Sequence, residues 1–123
     1  MSDRRAAEIA EALEAGRVVA CLPFVLEAGY SARSTPSHDT LMSELLALPW
    51  ASIDERVERR ALDAQRQLAR LGHHGLPPVD VLLAALADRH ELGLLHYDRH
   101  YDTIAAMTTL RFAGEWLAEP GVL

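Results

Sequence analysis

Four acidic side chains stand in places where a charge is costly or deliberate: Glu27, Asp80, Asp98 and Asp102. Asp80 opens the run Pro77-Pro78-Val79-Asp80-Val81-Leu82-Leu83-Ala84-Ala85-Leu86-Ala87, which is otherwise apolar. A helix apolar on every side is a buried helix. A carboxylate at its mouth meets a falling dielectric and needs a partner, yet no arginine lies beside it in sequence. Asp98 follows the short run Gly93-Leu94-Leu95-His96-Tyr97, and Asp102 comes four residues later, a spacing that lets both face one side of a turn. Glu27 interrupts a stretch made of Phe24, Val25, Leu26, Ala28 and Tyr30. Together these acids are hard oxygen donors of the kind that hold magnesium or manganese. Divalent ions held this way activate water and stabilise charge on a transferring phosphoryl group. Each acid also has a plainer explanation. Asp80 gains roughly 0.3–1 kcal/mol from the helix dipole, Glu27 fits a partly exposed helix position, Asp98 an N-cap, and Asp102 a solvated turn.

Other chemistries find less support. His73, His74, His96 and His100 suggest zinc, but the adjacent pair is poorly spaced and the one cysteine, Cys21, falls on an expected buried strand. No Gly-x-Ser-x-Gly elbow and no glycine-rich phosphate loop occurs. Cys21 is alone, so no internal disulfide forms, which fits a reducing cytoplasm. Its simplest role is that of a small hydrophobe. The net charge of -6 argues against a protein that wraps nucleic acid non-specifically. It leaves a nuclease open, because metal neutralises a carboxylate cluster. All 12 basic residues are arginine, the residue best suited to phosphate and carboxylate recognition.

The elements that must position the acids follow from periodicity. At 123 residues, half of them hydrophobic, the chain suits one domain with a sizeable core. No apolar run reaches the roughly 18 residues that span a membrane. Ser2 to Glu14 has helical spacing at Ala6, Ile9, Ala10 and Leu13, with Ser2 or Asp3 as cap and Gly16 as terminator. Arg17–Leu22 is a β-prone run ended by Pro23, and a helix from Phe24 to about Ala32 follows. After a Ser34–Ser37 loop, Leu41, Met42, Leu45, Leu46 and Leu48 mark the apolar face of another helix. Trp50–Ile53 gives a weak strand. Asp54 caps a long helix to about Leu71, with Val57, Ala61, Leu62, Ala64, Leu68 and Leu71 inward and Arg56, Glu58, Arg59, Arg60, Arg66 and Arg70 on a solvated outer face. A loop at Gly72–Pro77 leads to the helix that Pro78 begins. Leu94–Tyr97 is a strand, Asp98–Met107 a turn and short helix, and Arg111–Leu117 an edge strand. Alternating strands and helices predict an α/β domain with a mostly parallel sheet. Ligands in such folds bind beyond the carboxyl ends of the strands, where Glu27 and Asp98 would lie.

Pro78-Val79-Asp80-Val81-Leu82-Leu83-Ala84-Ala85, followed by Gly93-Leu94-Leu95-His96-Tyr97-Asp98-Arg99-His100-Tyr101-Asp102-Thr103-Ile104-Ala105, resembles the C-terminal half of PIN domains. It is most similar to the VapC-type toxins of bacterial toxin–antitoxin pairs. Leu26-Glu27-Ala28-Gly29-Tyr30-Ser31-Ala32-Arg33 resembles the family's second acidic segment, and Gly114-Glu115-Trp116-Leu117 its last strand. The resemblance implies one three-layer α/β/α domain over 1–123 and a magnesium- or manganese-dependent ribonuclease in which metal-activated water attacks an RNA phosphodiester. It implies metal carboxylates at Glu27, Asp80 and Asp98, with Asp102 as a further acid. The partners it implies are a small antitoxin encoded alongside and a second copy of the chain.

One departure from the family pattern concerns the start. Members begin with a strand ending in aspartate, whereas Met1-Ser2-Asp3-Arg4-Arg5 enters directly at the first helix. The expectation is a start that lies further upstream, or else a shortened and impaired variant. A catalytically inactive PIN-like module that binds an antitoxin or itself is therefore the alternative to the enzyme. A third reading is an α/β module that takes a phosphorylated ligand at the strand rim.

Overall fold

The computed structural model describes residues 3–15, 18–96 and 99–116. They fall into two compact units, Asp3–Ser52 and a second that begins at Ile53.

The first unit holds α1 (Asp3–Glu14), α2 (Leu22–Tyr30) and α3 (Thr35–Leu45). α1 lies where periodicity placed it, with Asp3 inside the helix; Ser2 and Gly16 lie outside the described residues. Of the strand expected at Arg17–Leu22, Arg17 lies outside the described residues, and the rest contracts to a single parallel bridge between Ala20 and Trp50. Ala20 N donates to Pro49 O at 2.8 Å, and Ala51 N donates to Ala20 O at 2.9 Å. Pro23 explains the contraction. Its fixed φ suits the first helical turn, so α2 starts at Leu22 and Cys21 becomes the N-cap in extended backbone. The expected strand Trp50–Ile53 narrows to Trp50 in the same way, with Asp54 already capping the next helix. The expected loop Ser34–Ser37 is the start of α3, because Ser34 Oγ accepts from Ser37 N at 3.2 Å and Pro36 fits the first turn. α2 and α3 approach closely at Gly29, where an added Cβ would sit 3.1 Å from His38 Nε2 and 3.2 Å from Met42 Cε. α3 has no fully buried residue, and Leu46, expected on its apolar face, is exposed.

The second unit holds α4 (Glu55–Arg70), α5 (Pro78–Arg89), β1 (Leu94–His96), α6 (His100–Met107) and β2 (Gly114–Trp116). β1 and β2 pair in parallel, Leu94 with Gly114 through His96 with Trp116. With the bridge in the first unit, the chain alternates helices with parallel pairings, which is the α/β class. Asp54 caps α4 as expected, its Oδ1 accepting from Val57 N at 2.9 Å. Val57, Ala64 and Leu68 are buried on one stripe. Leu62 is 68% exposed, a correction that helical geometry explains: five residues from Val57, it projects about 140° away from that stripe. Leu71 is the C-cap and is also exposed.

The C-terminal turn of α4 closes through Gly72 at φ +83°, with His73 N donating to Leu68 O at 2.8 Å and Gly72 N to Ala69 O at 3.1 Å. This is the left-handed closure that glycine favours. α5 ends by the same pair of bonds, Leu92 N to Ala87 O and Glu91 N to Asp88 O, but with Glu91 in the left-handed position at φ +57°. α5 is the buried helix that its composition demands: Val81, Ala84, Ala85, Leu86 and Ala87 are all inside. It runs antiparallel to α4, since Arg89 at its end reaches Asp54 at the head of α4, with Nε donating to Oδ2 at 3.0 Å. The 108–111 segment is tied to both helices. Thr109 N donates to Gln67 Oε1 at 2.8 Å, and Arg111 N to Asp88 Oδ1 at 3.0 Å.

Candidate functional site

Asp80 occupies the first turn of α5, two residues after Pro78. The two prolines bring no N–H to a helix end that would have orphaned them. The next residues dive into the core, so the carboxylate stands where helix dipole and burial meet. Its side chain is 18% exposed. The partner that the sequence left open comes from α6. Tyr101 Oη donates to Asp80 Oδ1 at 3.0 Å, and His100 Nδ1 lies 2.9 Å from Oδ2. A carboxylate only accepts, so the proton in the second bond sits on Nδ1. Tyr101 is buried at 7% exposure and shares the inward face of α6 with Ile104.

The other expected site residues are placed unequally. Asp102 is in the same first turn of α6 and is exposed. Glu27 is exposed on α2 in the first unit, its carbonyl accepting from Ser31 Oγ at 3.4 Å. Asp98 lies outside the described residues. Among the described residues, no three histidine, cysteine, aspartate or glutamate side chains gather closely enough to hold a metal. His73 and His74 instead line a cavity of about 280 Å³ with Leu62, Arg66, Leu76 and Val81. Cys21 is half-buried at the head of α2, and burial pushes its thiol up, opposed by the Phe24 N–H. A thiol held protonated is a poor nucleophile.

Asp80 fits an oxygen-seeking divalent ion. A carboxylate has about four acceptor positions, and the two donors from α6 take one on each oxygen. Two arginines of α4 are engaged elsewhere: Arg59 pairs with Glu55 at 2.7 Å and Arg60 with Asp88 at 2.9 Å. Tyr101 was missed by sequence reasoning, which weighed the 98–102 stretch for its acids and His100 only as a zinc ligand. The available signal was the spacing of Tyr101 and Ile104: an inward tyrosine needs an acceptor for its hydroxyl.

A match to the PIN domain covers residues 1–107. The chain belongs to the PIN-domain family. Among curated PIN-domain relatives, Ribonuclease VapC51 of Mycobacterium tuberculosis is 41% identical over 95 residues, 77% of this chain and 69% of the relative. Ribonuclease VapC21 of the same species is 35% identical over 111 residues, 89% of this chain and 79% of the relative. Ribonuclease VapC18 is 34% identical over 115 residues, 91% and 82% of the two chains. The VapC-type resemblance carried by the Asp80–Ile104 motif is therefore borne out. No helix among the described residues is long and apolar enough to cross a membrane.

Proposed function

We propose that this PIN domain is a metal-dependent endoribonuclease toxin of the VapC type that hydrolyses RNA phosphodiester bonds. The single observation that carries the proposal is Asp80, a sheltered carboxylate whose two oxygens are held by side chains from a different helix. The family membership and the names of the relatives support the same reading. Glu27, Asp80 and Asp98 are proposed as the metal carboxylates, with Asp102 as a further acid beside them. Magnesium or manganese matches their hard oxygen chemistry. When bound, the ion supplies an activated water and positive charge next to the scissile phosphate. The chain's own contribution is to hold Asp80 at a fixed orientation in a partly water-free setting. The three-layer single domain, the cytoplasmic location, a cognate antitoxin and a homodimer belong to the same proposal. Leu22, Leu26 and Tyr30 form an exposed apolar stripe on α2, which supports a protein partner.

The test is cleavage of a mixed RNA substrate by purified chain with and without manganese. Asp80→Asn and Asp98→Asn are expected to abolish cleavage while the far-ultraviolet circular dichroism is kept. Normal cleavage by either variant would overturn the catalytic assignment.

A further inference from the structure

We propose that Tyr101 and His100 are positioning residues that set the affinity of Asp80 for a divalent ion. The inference rests on the reading of Asp80 as a metal carboxylate, and it adds two residues that the acidic pattern does not contain. Tyr101 Oη and His100 Nδ1 reach different oxygens of the one carboxylate, at 3.0 and 2.9 Å. Both come from the first turn of α6, which packs on α5.

The terminal torsion of an aspartate is broad and roughly two-fold. Two donors on opposite oxygens fix it. An ion arriving at Asp80 then meets a ligand that has no rotation left to lose. The donors act against this too, because each withdraws charge from the oxygen that would bind the ion. Measured outer partners of metal ligands show which effect wins: their removal typically weakens metal binding about 10–100-fold.

A purely structural role for Tyr101 is the competing explanation, since a buried hydroxyl must be satisfied in any case. Such a role would alter folding and leave ion affinity where it was. The experiment therefore measures manganese binding to the metal-stripped full chain by calorimetry at one neutral pH, alongside the melting temperature. Tyr101→Phe keeps the ring and removes the donor. It is expected to weaken manganese binding about tenfold with little change in melting temperature. His100→Ala, at a half-exposed position less important to the core, is expected to do the same. His100→Asn, whose amide N–H can stand near Nδ1, is expected to restore most of the affinity.

Manganese binding that Asp80→Asn destroys, but that Tyr101→Phe and His100→Ala leave at the wild-type value, would overturn the positioning role alone. Binding that Asp80→Asn leaves unchanged would instead overturn the metal reading of Asp80 from which the inference starts.

Discussion

Asp80 and Asp88 stand about two turns apart on α5 and are equally sheltered, their side chains 18% and 17% exposed. Each is engaged on both oxygens. The partners differ in kind. Asp88 faces the Arg60 guanidinium at 2.9 Å and the Arg111 backbone N–H at 3.0 Å. Asp80 faces a phenol and an imidazole, neither of which carries the permanent charge of a guanidinium. Burial alone therefore does not tell the two acids apart. What separates them is whether the protein has already supplied the cation. At Asp88 it has, and the acid serves as a clamp between α4, α5 and the 111 segment. On the proposed metal reading, the negative charge of Asp80 is oriented by His100 and Tyr101 and takes its cation from solution.

The sharpest way to break the comparison is to remove each acid in turn. Asp80→Asn is expected to lower manganese-dependent RNA cleavage on the order of a hundredfold or more, with the melting temperature nearly unchanged. Asp88→Ala is expected to do the reverse. It leaves Arg60 and the Arg111 N–H without their shared acceptor. Both have access to water, so the loss is about 1–2 kcal/mol rather than the larger cost of a deeply buried pair. Chemical denaturation would read that loss, and cleavage per folded molecule should stay at the wild-type rate. If Asp88→Ala lost cleavage without losing stability, the division of labour along α5 would be wrong.

This division was only half legible in the sequence. The apolar run after Pro78 announced a buried helix, and it is one. Asp80 at its mouth was recognisable because a charge there must be partnered. The partner itself was not, since His100 and Tyr101 lie 20 and 21 residues away and meet Asp80 only through tertiary packing. Asp54 as a cap and the Val57, Ala64 and Leu68 stripe were equally legible, because local hydrogen bonding and helical period decide them. Of the strands expected at Arg17–Leu22 and Trp50–Ile53, the described residues show one parallel bridge, Ala20 with Trp50. Their β-prone residues are real, but Pro23 and Asp54 start helices so soon that one bridge is all that fits. The role of Asp88 was invisible, because Arg60 and Arg111 lie 28 and 23 residues from it.

The other clamp at that end of α5 sharpens the comparison through pH. The Val57 N–H holds the Asp54 carboxyl below its usual value, and Arg89 pulls the same way against the effect of burial. A carboxyl lowered on folding contributes stability above its unfolded value, near 3.9, and that contribution fades as pH falls through the lower folded value. Asparagine keeps the cap and discards the charge. Asp54→Asn is expected to melt below the wild type at neutral pH, with the gap closing below about pH 4. A gap that persisted unchanged into acid would assign the effect to packing instead of charge.

The smallest effect tests whether the far end of α5 is structural and nothing more. α4 and α5 finish with the same closure, but α4 places Gly72 in the left-handed position and α5 places Glu91 there. A residue with a Cβ pays roughly 1–2 kcal/mol for that backbone. Glycine avoids this and gives back about 0.5–1 kcal/mol through its freer unfolded chain. Glu91→Gly is therefore expected to stabilise the protein by about 0.5–1 kcal/mol. Gly72→Ala is the mirror experiment. A Cβ there meets nothing within 4 Å, so any loss reports the backbone alone and should be of similar size. Neither variant should alter manganese affinity or cleavage per folded molecule. A Glu91→Gly protein that gained stability and lost cleavage would mean that the C-terminal end of α5 also takes part in the chemistry, and the contrast between Asp80 and Asp88 would have to be redrawn.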